Sequence, residues 1–202
     1  MPTQLRSEAV YDELLADVLE GRLEPGDAVP SERVLSERFA VNRHAVREAI
    51  KRLQQGGLVA VSQGGATRVT DWRRTAGLDL LTSLPPADGL VPAITEMRAA
   101  IGADVARLCA LRSPDVALTP DGSEDGYVAF WEAITDGADN VAYRLALNTL
   151  VAAQRSGAID PELYLAERDD LVAQHELAGA IAAGDGDRAH DLADALLRRA
   201  TR

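Results

Sequence analysis

The sequence predicts a mainly α-helical protein in two parts: an N-terminal winged helix-turn-helix with a small β-hairpin wing, and a C-terminal all-α helical bundle. Three observations carry that expectation. Residues 30–69 read as two short helices across a tight turn, then a glycine-tipped hairpin, a layout that sets one helix into a DNA major groove. From Leu90 onward apolar residues recur at helical spacing with no convincing strand. Charge is also divided: residues 1–75 hold 11 basic and 11 acidic side chains, and the remainder holds 10 and 21, which accounts for the whole net charge of −11. An acidic second half is repelled by DNA and must serve another purpose.

The elements follow in order. Ser7 to about Gly21 is a helix with an apolar stripe of Val10, Leu14, Leu15 and Val18, and Leu23 to Asp27 supplies a turn. The next helix starts at Ser31, whose hydroxyl caps free N–H groups, and runs through Phe39, with Val34, Leu35 and Phe39 on one face. Asn42 caps the helix Arg43–Gln55, which ends where Gly56 and Gly57 allow a left-handed backbone. Val46, Ala49, Ile50 and Leu53 fall inward on it, while Arg43, His44, Arg47 and Lys51 face outward. Two strands, Leu58–Val61 and Thr67–Val69, flank a glycine-rich tip that puts Gln63 and Gly64 at phosphates or the minor groove, with Arg68 nearby.

The outward face has the chemistry of a DNA reader. Guanidinium forks grip guanine O6/N7 or phosphate in a bidentate way, and Arg43 and Arg47 stand one turn apart. A charged helix face is ordinarily just a solvated one. Here the local balance argues otherwise, because Arg33 to Arg68 contains seven Lys/Arg against two acids in a chain that is acidic overall.

The predicted organisation is a DNA-binding domain over 1–72, a linker helix over 73–86 anchored by Trp72, Leu78, Leu81 and Leu84, and an effector-binding and dimerisation domain over 87–202. In that last part helices are expected over 91–111, 124–136, 140–156, 161–183 and 187–199. The fourth begins at an Asp160 cap followed by Pro161, and residues 112–123 form an irregular loop. The lone Cys109 permits no intramolecular disulfide and suits a reducing compartment. With no apolar leader core and no run of 18 apolar residues, a cytoplasmic protein with no membrane partner is expected. No phosphate-binding loop, G-x-S-x-G motif, Cys/His metal spacing or paired carboxylates occur, so an enzyme is not expected.

The run Tyr11 to Val69, with LEPGDAVPSER, NRHAVREAIKRLQQGGLV and GGATRV, resembles the DNA-binding domain of the GntR family of bacterial transcription regulators. The resemblance implies operator contacts by Arg33, Arg43, Arg47 and Gly64, with Asn42, His44 and Gln63 as neighbours that tune sequence preference. Gly65 departs from relatives that carry a basic residue after the wing glycine, which weakens the wing contact. The second half, in EMRAAIGADVARLCA, YVAFWEAITDGADN and QHELAGAIAAGDGDRAHDLADALLRR, is similar to the ligand-binding bundle of the FadR-like branch. TRVTDWRRTAGLDLL resembles the same region of the fatty-acid-responsive FadR regulators.

Most members of that branch hold a divalent cation with one Asp and three His. Here the first pair aligns with Tyr127 and Trp131, the second His with His175, and the last with Leu196 or Leu197, so the resemblance implies no metal and no other cofactor. His175 is then a pocket hydrogen-bonder or simply a satisfied histidine. Replacing a charged site by Tyr127, Phe130, Trp131 and leucines suggests an apolar cavity suited to an acyl chain, and by resemblance Arg98 faces the polar end of the ligand. The expected function is a homodimeric regulator of fatty acid metabolism that reads pseudo-palindromic operator DNA and releases it on binding long-chain acyl-CoA. The alternatives are another small metabolite as effector, or a bundle that only dimerises.

Overall fold

The computed structural model describes residues 3–62, 65–84, 90–155 and 164–201. They divide into two compact units, Met1–Leu80 and Leu81–Arg202. The first is built from α1 (Thr3–Leu19), α2 (Glu32–Arg38), α3 (Arg43–Gln55) and an antiparallel pair, β1 (Val59–Val61) with β2 (Thr67–Val69). Its core is the set the sequence periodicity selects: Val10 and Leu14 of α1, Leu35 of α2, Val46, Ala49 and Leu53 of α3, then Leu58 at the sheet. Phe39 and Ile50, expected on the same inward faces, are only half-buried, and Val34 departs furthest. It is 42% exposed, because a helix of seven residues turns one side inward and Leu35 occupies it.

The caps explain why α2 and α3 begin where they do. Ser31 Oγ accepts from the Val34 amide at 3.4 Å, and Asn42 Oδ1 accepts from the Ala45 amide at 2.8 Å. The turn between the helices passes through Ala40 at φ 50. Gly57, at φ +73, turns the chain from α3 into the sheet; a Cβ there would lie 2.3 Å from the Thr75 carbonyl oxygen. The same glycine's carbonyl accepts from the Thr70 and Thr75 hydroxyls at 2.6 Å each, so it ties the end of the sheet to α4 (Trp72–Thr75). A 3-10 turn follows over Leu78–Thr82, after Gly77; the last residues of the expected linker helix lie outside the described residues.

The second unit contains α5 (Leu90–Arg112), α6 (Glu124–Gly137), α7 (Val141–Arg155), α8 (Leu165–Arg168), α9 (Leu171–Ala182) and α10 (Gly186–Leu197), and ends in a 3-10 turn, Arg198–Thr201. Among the described residues it has no strand. Its core gathers Ala99, Ala106 and Cys109 of α5, Phe130 and Ile134 of α6, Leu177 and Ile181 of α9, and Leu196 of α10. Burial pushes the Cys109 thiol up to about 11, so it stays protonated and packs as a small hydrophobe.

One expected helix is two. The run expected over 161–183 breaks between α8 and α9, because Asp170 leaves the helix to cap α9, its Oδ1 accepting from the Ala173 amide at 2.9 Å. The expected start at Asp160 and Pro161 lies outside the described residues. No helix of the described residues is long and apolar enough to cross a membrane.

Candidate nucleic-acid interface and bundle cavity

The N-terminal half of α3 presents Arg43, His44 and Arg47 to solvent, with Lys51 one turn further along the same side. Packing of Val46, Ala49 and Leu53 fixes which way this face points. The four arginines singled out in this unit start from different states. Arg43 is exposed and makes no ion pair among the described residues. Arg47 Nε donates to both carboxylate oxygens of Glu32, on α2, at 2.8 and 2.9 Å, and that hydrogen bond and charge raise its pKa further. Arg33 pairs with Glu37 at 2.9 Å, one turn along α2.

Arg68 on β2 donates to the Gly26 carbonyl at 2.7 Å, which pins it across the base of the hairpin. Asn42 uses its side-chain oxygen as the α3 cap, which does not occupy its amide N–H₂. Gln63 and Gly64 lie outside the described residues; beside them the Ser62 hydroxyl donates to the Ala66 carbonyl at 2.9 Å and Gly65 adopts φ +86. The sequence pattern did not single out Glu32. Its signal is the Ser-Glu-Arg order at the start of α2, which places a carboxylate on the first turn.

In the second unit a cavity of about 70 Å³ is lined by Arg98 and Gly102 of α5, Tyr127 and Trp131 of α6, Tyr143 and Leu147 of α7, together with Tyr164 and Leu197. Gly102 lets Leu197 pack close against α5: a Cβ there would clash with Leu197 Cδ1 and lie 3.5 Å from the Trp131 ring. The walls are mostly apolar, and the charged side chain among them is paired. Arg98 donates from both terminal nitrogens to Glu167, at 3.1 and 2.9 Å, and Glu167 is wholly buried. The Tyr127 hydroxyl donates to the same carboxylate, and the Arg98 guanidinium stacks 4.0 Å from the Tyr164 ring centre. Burial, reinforced by the negative charge of Glu167, holds the Tyr127 hydroxyl well above its ordinary pKa, so it remains a donor. Trp131 Nε1, out of solvent, makes no hydrogen bond of full geometry among the described residues, but its N–H lies close enough to the Tyr127 hydroxyl to temper that shift.

Arg98 lines the cavity, paired with Glu167. Two expectations change. His175 is exposed, its Nδ1 2.6 Å from the Leu171 carbonyl: α9 turns Gln174, Leu177 and Ile181 inward, so the inward position is one residue earlier. Leu196 packs in the helical core, and Leu197 is the leucine that lines the cavity. Gln174 is the buried polar side chain of this stretch, with Nε2 donating to the Glu167 and Arg168 carbonyls at 3.0 and 2.7 Å. Tyr127 and Trp131 line the cavity as aligned, and no group of three or more His, Cys, Asp or Glu is arranged to hold a metal ion among the described residues.

Residues 6–69, the three-helix core and the hairpin, match the family model of bacterial regulatory proteins of the gntR family. Over 214 aligned residues the chain is 38% identical to the HTH-type transcriptional regulator Mce2R of Mycobacterium tuberculosis, covering 96% of this chain and 89% of that one. The chain belongs to the GntR family. A second relative, the uncharacterized HTH-type transcriptional regulator Rv0494 of Mycobacterium tuberculosis, is 32% identical across 89% of this chain and 74% of its own length. The fold of this GntR protein is also that of Lar, which controls expression of the Listeria monocytogenes agr system: TM-score 0.59 at 13% identity, covering 96% and 94% of the two chains. This GntR protein is therefore a DNA-binding transcription regulator, with its DNA-binding function in the N-terminal helix-turn-helix.

Proposed function

We propose that this GntR regulator is a ligand-responsive repressor of the FadR-like branch, controlling fatty acid metabolism in the cytoplasm. It reads a pseudo-palindromic operator as a homodimer through Arg33, Asn42, Arg43, His44, Arg47 and Arg68, with Gln63 and Gly64 at the wing, and leaves it when a long-chain acyl-CoA enters the bundle. The observation that carries the regulatory half is the mostly apolar cavity walled by Tyr127, Trp131, Leu147 and Leu197, with Arg98 also in its lining. Such a site holds a chain and fixes its orientation. Release is linkage: the ligand shifts the population only as far as it prefers one bundle geometry over the other, and a tenfold loss of DNA affinity requires about 1.4 kcal/mol of coupling.

The test is operator binding, followed by fluorescence anisotropy, titrated with acyl-CoAs of increasing chain length beside free CoA. Weakening that grows with chain length supports the reading; equal indifference to every acyl-CoA defeats it. A smaller metabolite is the second reading, and the cavity volume favours it. About 70 Å³ is well below the roughly 300–1,000 Å³ of sites for drug-sized ligands, so a long chain must part the helices that line it.

A further inference from the structure

At about 70 Å³ the cavity has to widen before it takes a ligand, and the polar ties across its lining differ in what breaking them costs. Arg98, Glu167 and Tyr127 form one such tie. It is buried, with Glu167 wholly out of solvent, so parting it strands an uncompensated charge. Tyr143 of α7 forms another, its hydroxyl donating to Asp104 Oδ2 on α5 at 2.7 Å. That one breaks without stranding anything. Asp104 keeps Arg107, which donates to its Oδ1 from Nε and Nη2 at 2.9 and 2.6 Å, and both side chains are about a third exposed, so water replaces the phenol.

The helix that carries Tyr143 is also placed to move. α7 packs chiefly on α6, and Arg144 pairs with Glu132 and Asp136 of α6 at 3.7 and 3.3 Å. Its C-terminal end is anchored, since Ala153 is wholly buried and Leu150 packs with it against Ile94 and Tyr164. Its first turns carry Val141 and Leu145 outward, 75% and 61% exposed, and meet α5 through the Tyr143 bond.

We propose that the Tyr143–Asp104 hydrogen bond is the latch of the effector cavity: a ligand enters by parting the first turns of α7 from α5, and the reclosed latch holds it inside. Tyr143 is then a positioning residue for the wall, with α6 as the hinge side and the Leu150–Ala153 end as the anchor. The inference rests on the reading of this cavity as the effector site, whichever effector it takes.

The test is thiol labelling, which reads the population of a locally opened state. Wild type carries one thiol, Cys109, in the helical core. Val105→Cys in a Cys109→Ala background moves the single thiol to the cavity wall, at a position 2% exposed. Each full-length protein is labelled with iodoacetamide, with and without Tyr143→Phe, which removes the donor and leaves the ring. Labelling at position 105 should quicken about tenfold, and labelling of Cys109 should not change. Asp104→Ala removes the acceptor and should give a similar rise at position 105, with the two changes together giving little more than either alone. Should Val105→Cys fail to fold, Val128→Cys on the α6 wall carries the same comparison. Unchanged labelling in both single variants overturns the inference. So does a rise matched at Cys109, which means general loosening. Faster labelling of the cavity thiol alone, in a protein whose operator affinity ignores dodecanoyl-CoA, leaves the latch standing and defeats the acyl reading.

Discussion

Arg43 and Arg47 stand one turn apart on α3, and they approach DNA from different states. Arg43 makes no ion pair among the described residues, whereas Arg47 is held to the Glu32 carboxylate through Nε. Replacing either by Ala should cost roughly 1–3 kcal/mol of operator affinity and relax preference at one base pair, as read by anisotropy on a panel of single-substituted duplexes. A uniform loss across the panel would mean a phosphate contact instead. Gly57 is the sharpest structural test at this scale. Gly57→Ala forces a side chain against the Thr75 carbonyl at a left-handed φ, and it should cost at least about 2 kcal/mol in thermal unfolding. Gly26→Ala, also at positive φ but facing open space, should cost less. The residues of α3 were legible because a 3.6 period sorts them without knowledge of neighbours. Glu167 was not, since an isolated Glu reads as a solvated charge and only the fold brings Arg98, 69 positions away, against it. His175 was misplaced for a related reason: alignment by pattern is good to about one residue, and one residue rotates a helical side chain by about 100°.

The elements were read best where a side chain closes them. Asn42 and the Gly56-Gly57 pair bound α3 as the sequence implies, and Ser31 starts α2. The α8–α9 break escaped notice because Leu165 to Ala182 keeps helical composition throughout, and Asp169-Asp170 passes for two solvated acids. The structure gives Asp170 two tasks, capping α9 and pairing with Arg199. Asp170→Asn keeps the cap and loses the charge, while Asp170→Ala loses both. Thermal unfolding should therefore place the Ala variant about 1 kcal/mol below wild type and the Asn variant between them. Equal stability of Asn and Ala variants would remove the cap from the account. Asn42→Ala should show the same order of loss, about 1 kcal/mol, at the head of α3.

At the scale of the whole molecule, a near-neutral unit that binds DNA is joined to a strongly acidic one that encloses a cavity. One recognition helix covers too few bases to define a site, and symmetric regulators double it. Sedimentation should find a dimer at micromolar concentration that binds one operator duplex per two chains; monomer alone, with and without DNA, would contradict this. The charge split separates the two halves in the sequence, and the division at Leu80 and Leu81 falls inside the stretch expected as a linker; the identity of the ligand was not legible, because it depends on how side chains distant in sequence meet. The central claim is that the exposed arginines of α3 read DNA. Its most direct measurement compares the full-length protein with the Arg43→Ala, Arg47→Ala double variant on an operator selected from a random duplex library, with circular dichroism confirming that both are folded. The account predicts that the variant keeps its melting temperature, falls to the affinity of unrelated DNA, and shows a shallower dependence on salt. Unaltered affinity and sequence preference in the folded double variant would contradict it.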